Sequence, residues 1–130
     1  MPAKTKVLLV DDLEDILSAL RKLFSVCEVF EARDGRTALT LAAAEKPDLV
    51  ILDVHLPDMS GVDVMEVLNA MDPKPVVVML TGDDTTETTG KALAAGAFAY
   101  VTKPFEAKDL VAVSVKAIEF AEKEKSKRKK

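Results

Sequence analysis

Asp53 is the single charged residue within the apolar run at residues 49–54 (LVILDV). A charge there costs free energy unless it is paired or ligated. Two more carboxylates, Asp11 and Asp12, stop the run at residues 6–10 (KVLLV). A hydroxyl, Thr81, follows residues 75–80 (PVVVML), and an ammonium, Lys103, follows residues 98–102. Three carboxylates brought together without a counter-charge repel and raise one another's pKa, and a hard divalent cation relieves this. Mg²⁺ takes oxygen ligands, usually one or two carboxylates with waters and a phosphate oxygen. On this reading Asp12 and Asp53 are direct ligands, the backbone carbonyl of His55 supplies a third, and Asp11 acts through water. Asp53 is then a nucleophile for phosphorus, as carboxylates are in some phosphotransferases. Lys103 and Thr81 contact the phosphoryl oxygens. Each residue also has a plainer role. Asp12 suits a helix N-cap, Asp53 an acceptor for loop amides, Thr81 a turn residue and Lys103 a snorkelling surface lysine.

These residues share a rim only if the chain forms a particular kind of sheet. Short apolar runs at residues 6–10, 27–32, 49–54, 75–80 and 98–102 read as strands. They alternate with helical stretches at 13–24, 36–45, 62–71, 85–95 and 106–125. The first of these has apolar residues at 13, 16, 17, 20, 23 and 24, the spacing of one helix face. Pro47 ends the second, and the segment 55–61 (HLPDMSG) is a loop by its Pro, Asp, Ser and Gly. Five β-α repeats predict an α/β protein, a doubly wound, mainly parallel sheet with helices on both faces. Three runs are apolar throughout, as strands buried on both faces must be. Ligands of such sheets bind outside the carboxyl ends of the strands, which is where the five residues fall.

Composition sets further bounds. The 130 residues fit one domain, and with 5% aromatic residues and no Trp the core must be largely aliphatic. The net charge of −4 is uneven: the last ten residues carry six Lys/Arg and two Glu, leaving twelve basic and twenty acidic groups, or −8, on the rest. An acidic body is a poor non-specific binder of nucleic acid. The lone Cys27 excludes an internal disulfide and suits a small apolar filler. No run approaches the roughly 18 apolar residues of a membrane span, and no secretory signal opens the chain. The expectation is a cytoplasmic protein. A nucleotide-binding reading fails for want of GxxxxGK or GxGxxG.

The motifs VLLVDD, VILDVHLPDMSGVDV, VVVMLTG and AYVTKPF resemble the receiver domain of two-component response regulators. The resemblance runs from residue 6 to about residue 120, with all four motifs in order. It implies a flavodoxin-like fold, strand order 2-1-3-4-5 with five helices. It also implies Mg²⁺ as cofactor, Asp53 as phosphoacceptor, Asp11 and Asp12 as the acidic pair, Thr81 as switch hydroxyl and Lys103 as phosphate contact. Tyr100 matches the aromatic switch position, and the Lys103–Pro104 bond is often cis in such proteins. The phosphoryl group would come from a sensor histidine kinase or histidine phosphotransfer protein. The domain would catalyse its own transfer and slow hydrolysis without being a turnover enzyme. A downstream protein would read the surface of helix four, strand five and helix five. His55 and Asp83, each two residues past a key position, should tune dephosphorylation through water access.

The expected organisation is a short tail at 1–5, a receiver domain at 6–121 and a basic helix end or linker at 122–130. No helix-turn-helix or catalytic region follows the fifth helix, which suggests either a stand-alone receiver or a fragment of a larger regulator. Phe98 and Ala99 stand where acidic residues often support a charged dimer, so a monomer or weak dimer is expected. Val111, Val113 and Val115 offer either an apolar docking surface or inward packing. A haloacid-dehalogenase-like phosphatase also uses a strand-end Asp and Mg²⁺, but its second Asp would fall on His55. A non-phosphorylated scaffold sits poorly with the intact set of five residues.

Overall fold

The computed structural model describes residues 5–82 and 86–128. Five strands, β1 (Lys6–Val10), β2 (Glu28–Ala32), β3 (Leu49–Asp53), β4 (Val76–Thr81) and β5 (Ala99–Thr102), alternate with five helices. The helices are α1 (Glu14–Leu23), α2 (Gly35–Glu45), α3 (Gly61–Asn69), α4 (Thr86–Ala94) and α5 (Ala107–Arg128). All strands are parallel, in the order β2-β1-β3-β4-β5, as expected.

The period of two along each strand divides the core. Val7, Leu9, Ile51, Val78 and Leu80 pack against Leu17, Leu20 and Phe24 of the α1 side and Leu110 and Ile118 of α5. Leu8, Val10, Val50, Leu52 and Met79 face Ala38, Ala42, Val64, Leu68 and Ala92 from α2, α3 and α4. Val113 packs against the first of these cores. Cys27 does too, and burial pushes its thiol pKa up, away from thiolate chemistry.

Helix boundaries expose one misreading. Asp12 does not cap α1: Leu13 holds the N-cap position without a side-chain bond, and Asp11 Oδ1 accepts from Leu13 N–H at 3.0 Å. The adjacent carboxylate reaches the amide first, which leaves Asp12 exposed at the strand end. Asp34 caps α2, accepting from Thr37 N–H at 2.7 Å, and the helix closes on Lys46 in the left-handed region, φ 51°, just before Pro47. The basic segment 122–128 continues α5 as helix.

Candidate functional site

The carboxyl ends of β1, β3, β4 and β5 converge on one rim. Asp11 extends β1 by one residue, its N–H donating to Ala32 O at 3.1 Å, and is 0% exposed. Asp53 closes β3 and is 4% exposed, and Thr81 closes β4 and is also buried. Lys103 follows β5. Its N–H donates to Thr81 O at 2.7 Å, and its peptide bond to Pro104 is cis.

The side chains meet at Lys103. Its ammonium donates to Asp11 Oδ2 at 2.7 Å and lies 3.3 Å from Asp53 Oδ2. Asp53 Oδ1 accepts from His55 N–H at 3.2 Å. Thus one cation serves two buried carboxylates, and Asp11 holds it more closely. Burial raises the Asp53 pKa, and the negative charge of Asp11 adds to this. Lys103 and the His55 amide oppose the rise without cancelling it. For Lys103, burial works against the charged form. The bond to Asp11 and the charges of Asp53 and Asp11 outweigh it, so its pKa is raised and it stays an ammonium.

Carboxylate oxygens of Asp11, Asp12 and Asp53 lie within 4.8 Å of one another. This hard oxygen donor set has a deficit of positive charge and fits a divalent cation such as Mg²⁺. Asp12 is exposed and so open toward solvent, whereas both oxygens of Asp11 already have partners. Tyr100, paired in register with Met79, packs against the core on the α2–α4 side. The His55 side chain is exposed. Asp83 lies outside the described residues.

Sequence reasoning missed the residues that fix the loop beside Asp53. Gly61 N–H donates to Val54 O at 2.6 Å, and a Cβ on Gly61 would come within 2.5 Å of Asp53 O and 2.8 Å of Val54 Cα. Only a residue without a side chain fits so close to that backbone. Asp58 accepts from Gly35 N–H at 2.8 Å and Arg36 N–H at 3.0 Å, docking the loop on the start of α2. These two backbone bonds hold the Asp58 pKa below the usual carboxylate range. A composition that spells a loop gave a faint signal for Gly61 and none for the distant partners of Asp58.

Comparison with known proteins agrees with this geometry. The family model for the response regulator receiver domain matches residues 7–114. The chain belongs to that family. Its curated relatives among response regulators include the transcriptional regulatory protein KdpE of Mycobacterium tuberculosis, 47% identical over 103 residues, covering 78% of this chain and 45% of KdpE. The regulatory protein AtoC of Escherichia coli is 33% identical over 121 residues, covering 92% of this chain and 26% of AtoC. This receiver therefore spans less than half of either relative. The CheY-like receiver domain protein of Methanospirillum hungatei JF-1 superposes with a TM-score of 0.87 at 30% identity, covering 93% of this chain and 98% of that one. The fold is accordingly flavodoxin-like. Among the described residues, no helix of the receiver is long and apolar enough to cross a membrane.

Proposed function

We propose that this receiver is a phosphorelay switch and that Asp53 is its phosphoryl acceptor. The observation that carries this reading is the buried Asp53 carboxylate, 4% exposed, sharing the single Lys103 ammonium with Asp11. A site short of positive charge, with oxygen donors on one side and an ammonium on the other, suits a phosphoryl group delivered with a divalent cation. Asp12, Asp53 and the His55 carbonyl would hold Mg²⁺, with Asp11 in support. Bound there, Mg²⁺ supplies charge neutralisation at the phosphoryl oxygens.

The donor is a phosphohistidine on a partner kinase or phosphotransfer protein. An Asp53 carboxylate oxygen attacks phosphorus, the N–P bond breaks, and the imidazole leaves with its electron pair and takes up a proton. Lys103 turns from the carboxylates toward a phosphoryl oxygen, and the Thr81 hydroxyl donates to another. The modification adds about −1.5 to −2 of charge at Asp53. Thr81 moves toward it, and Tyr100 turns into the vacated space. The surface of α4, β5 and α5 is then read by a protein partner, a population shift biased by one local charge. Gly90 and the threonines of α4 give it low helix propensity, which suits a movable element. His55 and Asp83 set the lifetime of the phosphoryl group.

The test is the intact mass of the wild type and of Asp53→Asn after incubation with acetyl phosphate and Mg²⁺. The expected result is a single alkali-labile adduct in the wild type alone. Absence of an adduct would mean a scaffold, and sustained release of phosphate from esters would mean a phosphatase.

A further inference from the structure

The opposite end of the sheet carries a cavity of about 280 Å³, between the segments entering β3, β4 and β5 and the distal part of α5. Pocket volumes for small ligands begin near this size, at roughly 300 Å³. Pro47, Pro73 and Pro75 contribute to its wall. Phe98 and Phe120, which also line it, pair with ring centroids 5.6 Å apart and planes tilted by 44°. They are 38% and 45% exposed. The chain has only five Phe, so two of its few aromatic rings are kept in contact with water at one site. An exposed apolar patch of this kind points to a binding role.

The charges around it are unbalanced. Lys125 pairs with Asp48, and Glu124 lies 3.5 Å from Lys127. Lys46 and Lys74 also line the cavity, are exposed, and make no ion pair among the described residues. The Lys46 backbone is fixed by its left-handed closure of α2. Two unneutralised cations thus flank an aromatic cavity in a body that is otherwise acidic.

We propose that this cavity binds a small amphiphilic anion. Its aromatic or short acyl body would lie against Phe98 and Phe120, and its anionic group would lie near Lys46 and Lys74. The limited volume favours a small molecule over a folded partner, and the two lysines select an anion over a neutral hydrophobe. The phosphoacceptor rim takes no part.

The probe is 1-anilinonaphthalene-8-sulfonate, with the uncharged N-phenyl-1-naphthylamine as control, titrated by fluorescence and by amide NMR. The expected result is saturable one-to-one binding with retained amide dispersion. Shifts should centre on Val76, Val77, Gly96 and Phe98. Affinity should fall about tenfold in Lys46→Asn/Lys74→Glu and in Phe120→Ser. The control should bind more weakly to the wild type and be indifferent to the lysine changes. Asp53→Asn should bind like the wild type, so this inference stands or falls apart from the phosphoacceptor reading. Non-saturable binding, equal affinity in the lysine variant, or collapse of amide dispersion on binding would overturn it.

Discussion

The two ends of this sheet depart from ordinary sorting in opposite ways. At the carboxyl end, Asp11, Asp53 and Thr81 are polar and buried, and the two carboxylates share one ammonium. At the amino end, Phe98 and Phe120 are apolar and exposed, and two lysines have no ion pair among the described residues. Folded proteins usually bury the second kind of residue and expose the first. The same five strands carry both departures because β-strands in parallel register bring their ends together in two separate clusters. Local rules broken without structural gain are where function is to be sought. The carboxyl end has the richer chemistry, and the amino end has the richer shape.

Removing the hub of the carboxyl end should have the largest effect. Lys103→Met leaves two buried carboxylates without their cation and should cost about 3 kcal/mol in urea unfolding. A loss below about 1 kcal/mol would show that the rim does not depend on this ion pair. Next comes Gly61→Ala. The new Cβ meets backbone at 2.5 and 2.8 Å, which cannot move aside as a side-chain tip could. The expected cost is about 2 kcal/mol, with slower phosphoryl uptake as Asp53 is displaced. A variant as stable as the parent would mean that the loop relaxes freely.

Asp53→Asn should act in the other direction. The Asp53 pKa is raised in the folded state, so its ionisation costs stability from the unfolded value upward, and in full once pH exceeds the folded value. In chelator at pH 7 the Asn variant should be the more stable, by about 1.4 kcal/mol for each unit of elevation removed. The gain should shrink on acidification and vanish below the unfolded Asp value of about 3.9. Thermal unfolding across this range would check it, and a destabilised variant at neutral pH would refute the charge deficit. The smallest effect is expected at Asp58, whose folded pKa is lowered by the Gly35 and Arg36 amides. Its contribution should be present above the unfolded value and be lost as pH falls through the folded one. Asp58→Asn should flatten that dependence.

Much of this contrast was legible in the chain. Uninterrupted runs such as LVILD and VVVMLT announce strands covered on both faces, and the strand-end rule then gathers Asp11, Asp53, Thr81 and Lys103. The helix cap was misassigned because adjacent aspartates compete for one amide, and which wins depends on backbone angles after β1. Asp58 reaches its partners across 22 and 23 residues, a separation that no local pattern encodes. The amino-end cavity was equally hidden. Phe98 and Phe120 come together only once α5 is laid along the sheet. Even their exposure contradicts what their hydrophobicity suggests.

The Lys103 N–H to Thr81 O hydrogen bond, 2.7 Å long, has a mechanical consequence. It is a tie bar between two neighbouring strands, anchored on the backbones of Thr81 and Lys103. A load on either backbone is delivered to the other with little slack. The two backbone positions are then set together. A graft of this site onto another sheet would have to carry both strands and their register, because side chains transplanted singly would lose their common frame.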